Sequence, residues 1–447
     1  MRGIEGALFA TQNAKGGRFI SEALRSLGDK MPVTELSLAS SLTYGALRRK
    51  ALWKKIFDVY LKGAKDKKPR EIDQVVSDCL LLGTAGLLEL RHFAPGALVN
   101  GLLEVLKEKG YKKAVPMVNA ILHNVAKDGP AALEKFSHSP RLEDRAIYAG
   151  IPEWTLPAWK KSWNNEELNE IFALARLVPC ASLRTPPKKR DEVMTLLATA
   201  GIDGAPSDLF PESIRLSSTV YPSLVPGFDK GLTTVQTESS MLVASLVSVF
   251  WHRVGGTILD MCSGRGVKAG QIAQSLPDAH IECWELSPAR HRAAVREMAR
   301  LGIGDQVTLR LGDALSIAPA GKKPSVVFLD APCTGSGTWN RKPESKWVLS
   351  WAKIDKIAEL QKALLKTALN LAAAGGIIIY VTCSLLRHEN ENVVADALSE
   401  TPDCVVLDVP LAGPYVRRGR PWGTYILPSL PWLDGFYVSV IIKRTEA

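Results

Sequence analysis

The sequence contains no uninterrupted apolar run of eighteen or more residues, which is about the length that a membrane-spanning helix needs. Its N-terminal block MRGIEGALFATQNAKGG is too weakly apolar for a secretory signal peptide. Seven cysteines are present, but they form no CxxC pair and no Cys/His cluster at zinc spacing, so neither a disulfide framework nor a metal site is indicated. We therefore expect a cytoplasmic protein with reduced thiols, no metal and no membrane partner.

The charge balance is basic, with 56 Lys and Arg against 46 Asp and Glu and a net charge of +10. A basic surface attracts phosphates, but many basic proteins bind no nucleic acid, so composition alone leaves this partner undecided. The excess is concentrated in four stretches, at residues 62–70, 185–190, 340–346 and 415–420. Together these stretches favour a surface that follows a phosphate backbone.

A chain of 447 residues is too long for one ordinary core and favours two or three domains. Apolar residues recur at helical spacing from residue 17 to about 127, with proline at segment starts such as Pro95 and Pro116. We predict an all-helical domain over residues 1–140, a linker with a small α/β subdomain over 141–235, and an α/β catalytic domain over 236–447.

The last of these domains alternates short apolar runs with helical segments. The runs lie at 255–262, 280–286, 306–313, 325–332 and 375–384, and helical patterns lie between several of them. Apolar strands joined by helices predict a parallel sheet that is covered on both faces. Such sheets bind ligands at the carboxyl ends of their strands, where all the candidate chemistry of this sequence is found.

Three of these strand ends indicate a nucleoside site. The first run continues into DMCSGRGVKAG at 260–270, a strand-to-helix turn with glycines that follows neither the GxGxxG nor the GK[ST] pattern. Glu285 ends the second run, where an acid bonds ribose hydroxyls, and Asp313 ends the third, where it could accept from an adenine amine. A dinucleotide and S-adenosylmethionine both fit this outline. The alternative is three acids that merely cap the following helices.

Two further runs end on cysteines, in SVVFLDAPCT and GGIIIYVTCS. A single buried cysteine at a strand end is usually a small apolar side chain, but two of them, one preceded by Asp330, fit covalent methyl transfer to a cytosine. Carbon 5 of cytosine becomes nucleophilic once a thiolate adds to carbon 6. Ring nitrogen 3 then needs a partner, and Asp330 suits this role when it is protonated or shares a proton. The cysteines therefore favour S-adenosylmethionine over a dinucleotide.

Several stretches resemble the RNA cytosine-5 methyltransferases of the NOL1/NOP2/Sun family. LDAPCTGSGTWNRKPESKW and GGIIIYVTCSLLRHENENVV resemble its two cysteine motifs, DMCSGRGVK its cofactor loop, VQTESS the segment before the first strand, and DGFY its terminal strand. LTYGALR, LLLGTAGLLEL and VNAILHNV resemble the NusB-like RNA-binding domain fused to the bacterial small-subunit rRNA member. The resemblance implies a class I, Rossmann-like methyltransferase domain preceded by an all-α NusB-like domain.

The resemblance also implies roles for individual residues. Cys383 would be the nucleophile, Cys333 would assist release of the methylated product, and Asp330 would bind near the methyl donor and the target base. The implied reaction is methylation of carbon 5 of a cytosine in small-subunit rRNA. We expect a monomer that binds RNA. DNA is not expected as a substrate, because DNA cytosine methyltransferases use the cysteine of the PC motif as nucleophile and would not need the cysteine of the TCS motif. The residues implied to hold S-adenosylmethionine are Cys262, Ser263, Gly264, Arg265, Gly266, Val267, Lys268, Glu285, Asp313 and Asp330.

Some positions depart from the family's pattern. Arg265, Gly266 and Val267 stand where the family usually has Pro-Gly-Gly before the loop lysine, and Glu285 replaces the usual Asp. These changes predict weaker cofactor binding or a different loop path, since a Val restricts positive φ. Thr237 and the segment LRTP also differ, and we expect these differences to affect RNA contacts.

Two alternative functions stay open at this point. One is the same chemistry on tRNA or another RNA, because target choice depends on the N-terminal and middle domains. The other is a non-catalytic RNA-binding or assembly factor with a relict methyltransferase fold, which the altered loop favours and the retained cysteines argue against. Trp339, Trp347 and Trp422 lie among basic residues, and each either stacks on a base or packs as an ordinary aromatic.

Overall fold

The computed structural model describes residues 2–16, 18–28, 30–62, 71–90, 94–317 and 322–445. The basic stretch at 62–70 lies, from residue 63 on, outside the described residues. The chain divides into two compact units, one of Met1–Arg176 with Trp339–Leu349 and one of Leu177–Thr338 with Ser350–Ala447. The three-part division drawn from the sequence is finer than this and stays a prediction. None of the helices in the described ranges combines the length and apolar character needed to span a bilayer.

The first unit is a helical assembly around one apolar core. Side chains such as Leu42, Trp53 and Leu82 are completely buried in it, because the helices carry apolar residues at three- and four-residue spacing. The predicted helical N-terminal region is thereby confirmed. Its helices are α1 Arg2–Lys15, α2 Ile20–Gly28, α3 Val33–Arg48, α4 Lys50–Asp58, α5 Gln74–Leu88, α6 Pro95–Glu108, α7 Val115–Ser137, α8 Leu142–Tyr148, α9 Leu156–Ser162 and α10 Asn165–Ala175.

The segment Trp339–Leu349, which follows the first cysteine motif, packs within this helical unit. Lys346 is completely buried and its Nζ donates to the carbonyl of Arg48 at 2.7 Å. Trp339 is 2% exposed and stacks on Trp159 with ring centroids 5.9 Å apart. The expectation that residues 340–346 form part of a phosphate-following surface is therefore wrong for Lys346, and Trp339 is a packed aromatic that is not available to stack on bases.

The second unit begins with a small antiparallel sheet and one helix. The strands are ordered β2-β3-β1-β4, and their apolar side chains form a separate core that includes Leu183, Leu197 and Ile214. A small α/β subdomain was predicted within residues 141–235, and these elements occupy the later part of that range. Its elements are β1 Ser182–Arg184, α11 Arg190–Thr199, β2 Gly204–Pro206, β3 Ser213–Leu216 and β4 Thr234–Val235.

A nine-stranded mixed sheet dominates the rest of the second unit and confirms the predicted Rossmann-like α/β fold. The elements are α12 Glu238–Val254, β5 Ile258–Asp260, α13 Val267–Ser275, β6 Ile281–Glu285, α14 Pro288–Leu301, β7 Val307–Leu311, β8 Val326–Asp330, α15 Trp351–Leu371, β9 Ile377–Thr382, α16 Glu391–Ser399, β10 Cys404–Leu407, β11 Val416–Arg418, β12 Thr424–Ile426 and β13 Phe436–Lys443. The strand order is β11-β12-β13-β9-β8-β5-β6-β7, and β10 also pairs with β13.

Strands β5 to β9 pair in parallel, whereas β10 to β13 pair antiparallel. The strand order reverses between β5 and β8, and this is the place where open α/β sheets bind ligands. The carboxyl ends of β5, β8 and β9 meet there, because Asp260 is in register with Phe328 and Asp330 with Val381. The cofactor loop and both cysteine motifs therefore begin at one edge of one sheet.

Candidate active site

The two motif cysteines meet at the carboxyl edge of the sheet. Cys383 follows β9 directly and Cys333 lies three residues beyond the end of β8. Their Sγ atoms are 3.2 Å apart, because the parent strands are adjacent and parallel. The backbone N–H of Gly337 donates to the carbonyl of Cys383 at 2.9 Å, which joins the two loops behind the sulfurs. The predicted cysteines are thus brought together.

The environment of Cys333 keeps its thiol protonated. A hydrogen bond with Cys383 and burial in the site raise the pKa of Cys333 well above its ordinary value. The negative charges of Glu389 and Asp330 act in the same direction. Cys333 is therefore suited to hold and donate a proton rather than to act as a thiolate.

An ion pair lies beside the cysteines. Nζ of Lys268, on the first turn of α13, donates to Oδ2 of Asp330 at 2.6 Å. Burial alone lowers the pKa of Lys268, but the neighbouring Asp330 carboxylate, with Cys383 and Asp260, raises it above its ordinary value overall. Lys268 also lies 5.5 Å from the ring centre of Phe436. The site thus holds a fixed ammonium whose charge is shared with Asp330.

Asp260, the last residue of β5, was not singled out from the sequence although it begins the quoted cofactor loop. Its side chain is 1% exposed and its Oδ2 has no hydrogen-bond partner among the described residues. Burial, with the charges of Asp330 and Glu285, raises the pKa of Asp260 to about 7. Oδ1 accepts from the backbone N–H of Cys262 at 3.3 Å. Its position at the end of the first parallel strand was the sequence feature that could have marked Asp260 as a site residue.

The cofactor loop accommodates its unusual residues. Gly266 adopts φ +81° just before α13, and a Cβ there would lie 2.7 Å from Cε of Met298. Val267 is the first residue of α13 and has no positive φ, so the conformation that disfavours valine falls on the glycine before it. Arg184, almost completely buried, donates to the Val267 carbonyl at 2.9 Å. Arg265 is exposed.

Glu285 and Asp313 both bind backbone N–H groups two residues further along the chain. Oε1 of Glu285 accepts from Ser287 N at 2.6 Å and from Arg290 at 2.9 Å. Oδ1 of Asp313 accepts from Leu315 N at 2.9 Å. Both acids lie at the carboxyl edge of the sheet and both cap a turn. The capping function that the sequence analysis gave as the alternative to nucleoside binding is therefore observed for both. Their assignment to ribose and adenine stays a prediction.

A second acid that sequence reasoning missed lies behind the cysteines. Glu389, in the stretch HENENVV, is completely buried and accepts from the backbone N–H of Thr334 at 2.7 Å. Its other oxygen accepts from the hydroxyls of Thr334 and Ser384. The neighbouring Asn390 donates to the carbonyl of Ser384 at 2.9 Å. Only the position of these residues just beyond the second cysteine motif could have indicated them.

The donors and acceptors of this edge fit the methyl donor. S-adenosylmethionine carries an amino group, a carboxylate and two ribose hydroxyls. The unpartnered buried oxygen of Asp260 is an acceptor of the kind that an ammonium satisfies, and the start of α13 presents backbone N–H groups that suit a carboxylate. Among the described residues no group of His, Cys, Asp or Glu is arranged to hold a metal ion.

Two family models match separate parts of the chain. Residues 250–442 match the family described as 16S rRNA methyltransferase RsmB/F, and residues 6–127 match the NusB family. The predicted family resemblance is confirmed, and so is S-adenosylmethionine as the cofactor of this methyltransferase family.

Individual relatives cover nearly the whole chain. Ribosomal RNA small subunit methyltransferase B of Citrobacter koseri is 27% identical over 97% of this chain and 96% of its own length. The protein of that name from Pseudomonas syringae pv. tomato is 29% identical over 98% and 95%. The crystal structure of PH0851 matches with a TM-score of 0.78 at 21% identity and covers 98% of both chains, which shows the shared fold.

Proposed function

Because residues 250–442 match the family described as 16S rRNA methyltransferase RsmB/F and residues 6–127 match the NusB family, we propose that the protein methylates carbon 5 of a cytosine in small-subunit rRNA. The reaction passes through a covalent adduct between Cys383 and the base. The observation that carries this proposal is the 3.2 Å approach of Cys333 Sγ and Cys383 Sγ beside the ion pair of Lys268 and Asp330.

Cys383 is the nucleophile that adds to carbon 6 of the cytosine. As the adduct forms, negative charge develops on the ring and is relieved by a proton or a hydrogen bond at nitrogen 3. The ammonium of Lys268, held at 2.6 Å from Asp330, supplies such a donor without requiring Asp330 itself to be protonated. The pair therefore performs the proton sharing that the sequence assigned to Asp330 alone.

Cys333 assists release of the product. Once carbon 5 is methylated, a base takes its remaining proton, the electron pair of that bond re-forms the double bond between carbons 5 and 6, and the bond between carbon 6 and the Cys383 sulfur breaks so that the sulfur leaves as a thiolate. Cys333 lies 3.2 Å away, and its raised pKa keeps a proton on its sulfur. It can donate this proton to the departing thiolate, so that the adduct does not re-form.

Bound S-adenosylmethionine supplies an electrophilic methyl group on a sulfonium. Asp260 and the loop residues Cys262 to Lys268 would hold its methionine portion, and Glu285 and Asp313 its nucleoside. Arg184 supports this loop from behind through the Val267 carbonyl. Asp330, whose charge is paired with Lys268, would lie near the methyl donor.

Small-subunit rRNA is the proposed substrate because the curated relatives are named for it and because the chain carries a NusB-family domain. The net charge of +10 suits an RNA partner. The cytosine must leave its stack to reach Cys383. We therefore expect protein-free or partly assembled RNA to be the better substrate.

The proposal is tested by transfer of a labelled methyl group from S-adenosylmethionine to protein-free small-subunit rRNA and, in parallel, to bulk tRNA. Cys383→Ala should abolish the label, whereas Cys180→Ala, which changes a half-buried cysteine outside the site, should retain it. Label in tRNA alone would move the substrate to tRNA. Absence of label in both RNAs would favour the non-catalytic assembly factor.

A further inference from the structure

The loops that carry the two cysteines are joined by one buried carboxylate. The carboxylate of Glu389 accepts hydrogen bonds from the backbone N–H of Thr334 at 2.7 Å and from the Thr334 hydroxyl. Thr334 is the residue after Cys333. Glu389 also accepts from the hydroxyl of Ser384, the residue after Cys383. The same side chain therefore contacts the immediate neighbour of each sulfur.

The hydrogen bonds between this carboxylate and the described side chains and backbone groups are all donated to it. Besides Thr334 and Ser384, the amide of Gln361 donates to Oε1 at 3.2 Å. Burial raises the pKa of Glu389, and the hydrogen bonds from Ser384 and Thr334 oppose that rise. A buried acceptor with several donors is costly to remove, because each donor then loses its partner. The arrangement is that of a structural clamp rather than of a group in contact with substrate.

Strand pairing does not extend to the sulfurs. The register of β8 and β9 ends at Asp330 and Val381, so the residues beyond these positions depend on contacts between the loops. Gly337 N and Ser336 Oγ make such contacts with Cys383 O and Leu385 N at 2.9 Å and 2.7 Å. These contacts lie three or four residues after Cys333. The next residue after Cys333, Thr334, is joined to the Cys383 loop by Glu389 and by a 3.4 Å contact between the Thr334 and Ser384 hydroxyls.

From this geometry we propose that Glu389 is a positioning residue that sets the separation of the Cys333 and Cys383 sulfurs. The inference rests on the proposed roles of the two cysteines. It adds that their approach is built into the protein by Glu389 and does not depend on bound RNA. Loss of the clamp lets the loops move apart, so that proton donation from Cys333 to the Cys383 sulfur slows.

The separation can be measured without catalysis, through the equilibrium between the thiol pair and glutathione disulfide. One glutathione disulfide oxidises the two thiols to a Cys333–Cys383 disulfide and gives two molecules of glutathione. Peptide mapping of the bridged pair then gives the effective concentration of one thiol at the other. We expect Glu389→Ala to lower this effective concentration at least tenfold relative to the wild type.

The matched control is Glu391→Ala. Glu391 is also buried, but it accepts from the Tyr425 hydroxyl at 2.6 Å and from Arg420 N at 3.3 Å. Its loss should change the thiol equilibrium less than threefold. In methyl transfer, Glu389→Ala should lower kcat at least tenfold and leave KM for S-adenosylmethionine within twofold, because the residues proposed to hold the cofactor lie elsewhere.

If Glu389→Ala does not fold, Thr334→Val removes the hydroxyl bond to Glu389 and keeps the backbone bond. Ser384→Ala removes the Ser384 bond to Glu389 together with the contacts of that hydroxyl with Ser336 and Leu386. Each variant should lower the effective concentration at least threefold. An effective concentration within twofold of the wild type in the folded variants would overturn the inference. Failure of the proposed function is a separate result, because wild-type protein that transfers no methyl group would still give the thiol equilibrium.

Discussion

Nζ of Lys268 lies 2.6 Å from Oδ2 of Asp330, although the two residues stand 62 positions apart in the chain. One is on the first turn of α13 and the other is the last residue of β8. They meet because β5 and β8 are adjacent parallel strands whose carboxyl ends share an edge. The cofactor loop and the first cysteine motif are therefore coupled through this charge pair.

This pair predicts that Lys268→Met lowers kcat by about a hundredfold or more, because removal of one fixed donor to a developing negative charge typically costs that much. Single-turnover methyl transfer at saturating S-adenosylmethionine measures the change. Lys362→Met is the matched control, since Lys362 pairs with Glu359 and Asp396 on the surface of α15 and α16. Activity of Lys268→Met within threefold of the wild type would contradict the proposed role.

The two cysteines predict opposite behaviour of their alanine variants. Cys383→Ala removes the nucleophile, so neither product nor adduct should form. Cys333→Ala removes the proton donor for release, so a protein–RNA species should accumulate and survive denaturing gel electrophoresis. Labelled RNA followed on such a gel measures both results. Identical behaviour of the two variants would rule out this division of roles.

The close approach of the Gly337 and Gly435 backbones behind the active site leaves no room for a side chain on Gly337. A Cβ on Gly337 would lie 2.2 Å from the carbonyl oxygen of Gly435 and 2.7 Å from its Cα, and these backbone atoms cannot rotate away. Gly337→Ala should therefore destabilise the protein by about 2 kcal/mol or more, measured by thermal unfolding. Gly304→Ala, where a Cβ would meet open space, should leave the melting temperature almost unchanged.

Much of the second unit followed from short-range patterns. Each of the five apolar runs became a parallel strand, and both cysteines were placed at strand ends by the residues next to them. The antiparallel strands were harder to identify, because Val416–Arg418 and Thr424–Ile426 are three residues long and one of them is basic. Only DGFY, which leads into β13, was assigned to a strand in advance, through the family resemblance.

The features missed from the sequence depend on partners far away in the chain. From the sequence, Lys346 is expected to be a solvent-exposed cation, yet its Nζ donates to the carbonyl of Arg48, which lies 298 positions earlier in the chain. Glu389 reads as one acid in a polar stretch, yet it bonds Thr334 from 55 residues away. No periodicity signals such contacts, since a charged side chain is buried only where the fold supplies its partners. Apolar spacing identifies strands and helices but not these polar contacts.

Asp260 predicts how stability changes with pH in the cofactor-free protein. Burial raises the pKa of Asp260 from 3.8 to about 7, so between these values the folded state holds a proton that the unfolded state has released. The contribution of Asp260 is therefore fully present below about pH 4 and is lost as the pH rises towards 7. Asp260→Asn cannot ionise and should lack this decline.

The free energy of unfolding of Asp260→Asn should accordingly rise relative to the wild type by about 3 kcal/mol between pH 5 and pH 8. Urea unfolding at several pH values measures this difference, in which the other titrating groups cancel. Asp278→Asn changes an exposed acid in the same unit and should give a curve parallel to that of the wild type. If the Asp260→Asn curve were also parallel, the carboxylate would be ionised in the folded protein at pH 5. The buried oxygen would then need a donor other than its own proton.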